Sequence, residues 1–235
     1  MASRRSNRTS EGRKAPDPHP FAGPTSQIER RVLLTDPDGA AAESIRVLRT
    51  RIQSQHLQVG RRALAVCGPS PEVGATFVAV NLAIALSQIG VKTLLVDADL
   101  RNPSVHTYFD PPLVGGGLFA CLASFSDGIA EFTDENALPN LDVLGAGKPD
   151  SAAHELLASE KFPAIINACV RDYDITIIDT PPANSCADGL RIGTITGFAL
   201  IVARKNRTLV SDVRILADQL RTERARAVGT VLNDF

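Results

Sequence analysis

Two carboxylates one residue apart, at the end of an apolar run, form the arrangement in this sequence best suited to a divalent cation. They are Asp97 and Asp99, which close the apolar part of VKTLLVDADLRNPS at 91–104. A third acid, Asp179, closes a second apolar run, ITIID at 175–179. Mg2+ takes hard oxygen ligands and is commonly held by one or two carboxylates together with phosphate oxygens. A bound nucleotide also needs a loop whose backbone amides and helix N-terminus face its phosphates, with a lysine for the outer phosphates and a Ser or Thr hydroxyl for the metal. Residues 67–77, CGPSPEVGATF, stand where such a loop would be. Gly74 and Thr76 meet its requirements, but Ala75 occupies the lysine position, Pro69 replaces the first glycine and Val73 removes flexibility. No lysine lies between residues 60 and 91, and Glu72 adds negative charge close to the expected phosphates. Taken alone, this loop fits an ordinary strand-to-helix turn equally well.

Bringing these groups together requires a particular set of elements. Apolar runs at 63–67, 93–98, 141–145, 175–179, 199–203 and 227–232 read as strands, several of them continuous as in parallel sheets covered on both faces. Helical patterns fall at 40–53, 75–89, 152–171 and 209–223. This alternation predicts a single α/β domain with a doubly wound, mostly parallel sheet and helices on both faces. In such a sheet ligands bind beyond the carboxyl ends of the strands. The loop after Cys67, the acids after Val96 and Asp179 should therefore meet at one edge.

Length and composition narrow the reading further. A chain of 235 residues with 44% hydrophobic content can bury one substantial core. Residues 1–25 are rich in Arg, Ser, Pro and Gly and are expected to be a flexible basic tail. Residues 26–60 are expected to form a linker and helix, and 61–235 the domain. A net charge of -1 argues against a protein that coats nucleic acid. Cys67, Cys121, Cys169 and Cys186 lack metal-ligand spacing, and no apolar run approaches the roughly 18 residues of a membrane span. Reduced thiols in a cytoplasmic protein follow, with any membrane contact made through a partner. His106 is expected to be a packing residue.

Several segments together carry a resemblance. ESIRVLRT at 43–50, VNLAIAL at 80–86, LLVDADLRNPSVH at 94–106, LPNLDVLGAGKP at 138–149, YDITIIDTPP at 173–182, Asp188 and VGTVLND at 228–234 are similar to the cytoplasmic domain of bacterial tyrosine kinases. These kinases accompany capsule and exopolysaccharide chain-length regulators and share a deviant P-loop with septum-placement and partition ATPases. The resemblance implies ATP or ADP with Mg2+, and a nucleotide loop at Gly74, Ala75 and Thr76. It assigns metal contact to Thr76, Asp97 and Asp179, and makes Asp97 and Asp99 the catalytic acids. Glu43, Arg46 and Arg49 match the pattern that joins neighbouring subunits of the family into a ring. Their spacing keeps the charges on one side of a helix, which a solvated face would also explain.

Two departures bear on activity. The missing lysine removes a charge-assisted contact of about 1.5–3 kcal/mol to phosphate, and more in a transition state where charge develops. Arg101 or Arg204 could reach in as a substitute. The family's clustered terminal tyrosines have no counterpart, since Tyr108 and Tyr173 are the only tyrosines. The expected protein is thus a kinase-like partner of an inner-membrane chain-length regulator, with weak or lost phosphotransfer and weak nucleotide binding. An active tyrosine autokinase and a partition- or division-site-type ATPase are the alternatives.

Overall fold

Residues 28–124 and 128–234 are described by the computed structural model, so the expected tail at 1–25 lies outside the described residues. A 3-10 turn at Ile28–Arg30 leads into α1 (Val32–Thr35) and α2 (Ala40–Gln55). Then follow β1 (Ala63–Cys67), α3 (Ala75–Ser87), β2 (Thr93–Asp97), a 3-10 turn at Val105–Tyr108, and α4 (Gly117–Ala123). The hairpin β3 (Asp134–Leu138) and β4 (Leu141–Leu144) precedes α5 (Ala153–Ala158), α6 (Lys161–Asp172) and β5 (Ile175–Asp179). The chain closes with α7 (Ala187–Thr196), β6 (Phe198–Arg204), α8 (Val210–Thr222) and β7 (Arg226–Asn233).

The seven strands form one sheet in the order β3-β4-β2-β5-β1-β6-β7, parallel except for β3. β1, β2 and β5 are buried at every residue, as their uninterrupted apolar runs predict. Beneath one face lie α2 and α3, with Leu82, Ile84 and Leu86 fully enclosed. The other face is covered by helices that include α4, α6 and α8, around the fully buried Phe162. The turn Asp36-Pro-Asp-Gly starts α2, with the Gly39 amide donating to the Asp36 carbonyl at 3.1 Å.

Three features differ from expectation. The helix expected over 152–171 is two helices, because the chain turns extended at Ser159 between α5 and α6. The short helices α4 and α7 and the edge strand β3 carry no strong periodic signal; β3 reads DENAL, a polar run that pairs antiparallel at the sheet margin. His106 is exposed on its 3-10 turn, which corrects the expectation of a packing role, and its neighbours Val105 and Tyr108 are buried instead. Among the described residues all four cysteines are free, three of them buried. No helix among them is long and apolar enough to cross a membrane.

Candidate functional site

The loop after β1, the acids after β2 and Asp179 do meet at the carboxyl edge of the sheet. Asp97 and Asp179 are register partners on the adjacent parallel strands β2 and β5, 0% and 1% exposed. Two ionised carboxylates buried side by side repel, so both groups are pushed upward, by burial first. For Asp179 the charge of Asp97 is the next cause, and for both Asp99 adds to the repulsion.

Each acid is held differently. Asp97 is fixed by its own loop: Oδ1 accepts the Asp99 amide at 3.2 Å, and Oδ2 accepts the amides of Ser104 and Val105 at 3.2 and 3.1 Å. Asp99 Oδ1 takes the amides of Arg101 and Asn102 at 3.1 and 3.0 Å, which closes the turn after it. Asp179 Oδ2 accepts the Thr76 hydroxyl at 2.7 Å, and Ser104 Oγ donates to Thr76 Oγ1 at 3.0 Å. Asp179 Oδ1 is buried and has no hydrogen-bond partner among the described residues.

That bare oxygen beside a second carboxylate suits a cation. Thr76 and Asp179 would hold Mg2+, with Asp97 adjacent and water or phosphate oxygens completing its shell. Among the described residues no group of three or more His, Cys, Asp or Glu side chains converges into a full metal cage.

The loop is gripped from both sides. Gly68 and Pro69 carbonyls accept the amides of Ala183 and Asn184 from the segment after β5, at 2.9 and 3.2 Å. On the β6 side, Asn233 Nδ2 donates to the Val73 carbonyl at 2.8 Å and Arg204 Nη1 to the Glu72 carbonyl at 3.2 Å. Arg207 pairs with the Glu72 carboxylate at 2.6 Å. Glu72 adopts φ 59°, a left-handed backbone unusual outside glycine, and Gly74 does so at φ 88°. Gly68 has no room for a side chain, since a Cβ there would lie 2.4 Å from Val73 Cγ2. Ala75 begins the 13-residue α3 directly after Gly74.

A cavity of about 660 Å³ opens above these groups. The loop residues line it, with Asp99, Asn102, Ser104 and Tyr108 on the β2 side and Arg204 on the β6 side. Arg30 also lines it, a residue that sequence reading missed. Of the two substitutes considered earlier, Arg204 borders the cavity, whereas Arg101 turns to Asp188, donating Nε and Nη2 to Oδ2 at 3.0 and 2.9 Å. His154 Nδ1 lies 3.6 Å from the same Asp188 oxygen. Tyr108 is buried against the cavity and its phenol is pushed up to about 12, chiefly by burial, with Arg30 drawing it down. Tyr173 lies at the opposite end of the sheet, donating to Asp142 Oδ2 at 2.8 Å.

The three charges on α2 separate. Glu43 and Arg46 pair at 3.3 Å on the exposed face. Arg49 instead turns inward, its Nη1 reaching the Ala85 carbonyl on α3 at 3.5 Å.

Comparison with known proteins gives a consistent picture. Residues 63–203 match the AAA domain family. The chain is 31% identical over 198 residues to the tyrosine-protein kinase ptk of Acinetobacter johnsonii, across 84% of this chain and 27% of that protein. It thus spans about a quarter of that relative's length. It is also 31% identical over 199 residues to the putative tyrosine-protein kinase CapB of Staphylococcus aureus, across 84% of this chain and 86% of that one. Among solved structures, the kinase domain of Escherichia coli tyrosine kinase ETK superposes with a TM-score of 0.81 at 27% identity, over 87% of this chain and 79% of that chain.

Proposed function

The chain belongs to the bacterial tyrosine-protein kinases within the AAA domain family, and from this premise we propose that it is a nucleotide-binding assembly partner in which phosphotransfer is weak or lost. It would support capsule or exopolysaccharide production by docking on an inner-membrane chain-length regulator and by associating with copies of itself. The observation that carries this reading is Ala75: a loop that runs into the start of α3 beside a buried acid pair and the Thr76 hydroxyl, with an uncharged methyl at its lysine position.

In this reading Thr76 and Asp179 position the metal, and the amides at the start of α3 face the phosphates. Held there, Mg2+ would supply charge neutralisation to the phosphates. Asp97, locked by three backbone amides, is placed to accept a proton from an incoming hydroxyl, with Asp99 beside it. Without the lysine, developing charge on the transferred group lacks its usual partner, so binding outlasts chemistry. The exposed Glu43 and Arg46 would face a neighbouring protomer.

Calorimetry with MgADP and MgATP tests this, on the native protein and on Ala75→Lys, alongside a phosphotyrosine blot. The expected result is weak binding to the native protein, little phosphotyrosine, and an affinity gain of roughly tenfold to a hundredfold with the lysine. Rapid phosphotransfer by the native chain, abolished by Asp97→Asn, would overturn it.

A further inference from the structure

We infer that Arg30, from the segment ahead of the domain's first helices, is the cation that contacts the terminal phosphate of a nucleotide bound in the cavity above Thr76 and Asp179. The inference rests on the nucleotide-binding reading and names the residue that takes over the charge missing at position 75.

Position is the first argument. Two arginines line the cavity, on opposite flanks. Arg204 ends β6, on the far side of β1 from the acid pair, and its Nη1 is directed to the Glu72 carbonyl. The metal-suited groups, Thr76, Asp97 and Asp179, all lie on the β2 and β5 side. If Mg2+ is held at Thr76 and Asp179, the phosphates that share it would lie on that side. Arg30 is there, for its 3-10 turn packs on the turn Val105–Tyr108 that follows the β2 acids.

Arg30 is also held in place by the domain core. Asn81, fully buried in α3, uses both ends of its amide on the incoming chain. Its Nδ2 donates to the Arg30 carbonyl at 3.0 Å, and its Oδ1 accepts the Val32 amide at 3.0 Å. The same Nδ2 donates to the Phe77 carbonyl at 2.9 Å, one residue beyond Thr76. The backbone at Arg30 is therefore registered directly to the first turn of the phosphate-facing helix. The Tyr108 phenol, in contact with the arginine, gives its side chain a polar rest at the cavity wall.

Charge points the same way. Asp99 and Glu72 line the cavity and Asp97 and Asp179 lie buried beside it, while residues 67–77 contain no cationic side chain to meet a polyanionic ligand. A guanidinium presents a planar fork that matches phosphate oxygens. Because Arg30 directly precedes α1 and α2, its phosphate contact would couple nucleotide state to the placement of the helix that carries Glu43 and Arg46. Such coupling gives a protein without fast phosphotransfer a reason to keep a nucleotide site.

The test is calorimetric titration with Mg2+ and either ADP or the hydrolysis-resistant analogue AMP-PNP, on native protein, Arg30→Ala, Arg30→Lys, Ala75→Lys and the Arg30→Ala/Ala75→Lys double variant. Arg30→Ala should lose AMP-PNP affinity by roughly tenfold to a hundredfold while ADP affinity changes less than about threefold. Arg30→Lys, which keeps the charge and loses the fork, should recover only part of the affinity, and Ala75→Lys should restore it in the double variant. Unchanged AMP-PNP binding in Arg30→Ala, or equal loss of both nucleotides, overturns the role of Arg30 and leaves the nucleotide reading standing. A native protein that binds neither nucleotide overturns both.

Discussion

Asp97 and Asp179 sit directly across from each other at the carboxyl ends of two paired strands, and among the described residues Asp179 Oδ1 has no hydrogen-bond partner. A fold that buries two acids against each other without an internal cation is stabilised by anything that neutralises them. Proton and metal become alternative solutions to one electrostatic problem.

The pH dependence of the metal-free protein follows from this. Burial, with Asp99 adding charge, pushes Asp97 up to about 7 from its ordinary 3.8, and Asp179 is raised by burial and by Asp97. Between those values the folded protein binds more protons than the unfolded chain, so stability falls as pH rises from about 4 through about 7. Thermal melts in EDTA should give a higher midpoint at pH 5.5 than at pH 8, and Asp179→Asn should flatten the difference. Mg2+ with nucleotide should stabilise more at pH 8 than at pH 5.5. A midpoint that climbs with pH and an unchanged slope in Asp179→Asn would count against the account.

Asn233 ties the last strand to the phosphate loop through the Val73 carbonyl. Asn233→Ala leaves that carbonyl without its donor and should cost about 1–3 kcal/mol of stability, read by urea denaturation. Nucleotide affinity should fall with it, because the loop loses a restraint beside Gly74.

Helix α2 should separate assembly from folding. Arg46→Glu acts on an exposed pair and should change monomer stability by no more than ~0.5 kcal/mol, while sedimentation shows loss of self-association. Arg49→Ala removes the contact to Ala85 and buried packing, so its main effect should be on the melting temperature. Equal effects of the two variants on both readouts would refute the division.

Tyr173→Phe removes the hydroxyl bonded to Asp142, at the end of the sheet away from the cavity. Stability should drop by about 0.5–1.5 kcal/mol with nucleotide affinity unchanged in calorimetry.

Much of this architecture was legible in the residues. The uniformly apolar runs marked the central strands because a strand covered on both faces has no polar side to show. The acids at their ends marked the edge where they converge. β3 escaped because DENAL at a sheet margin buries little, and the break between α5 and α6 because a single extended residue at Ser159 leaves the helical pattern nearly intact. Arg30 escaped for a different reason: its place depends on a tertiary contact with Asn81, 51 residues away. An asparagine in the middle of an apolar helix was the one available signal, since a buried amide must find partners.

The double use of that single amide reaches into how the molecule can be assayed. Asn81 fastens the strand of chain leading to α2 and the first turn of α3 into one rigid piece, so nothing that grips either end is independent of the other. If α2 meets a second subunit, then dilution is itself a perturbation of the pocket, and a dissociation constant taken at nanomolar protein will differ from one taken at micromolar protein.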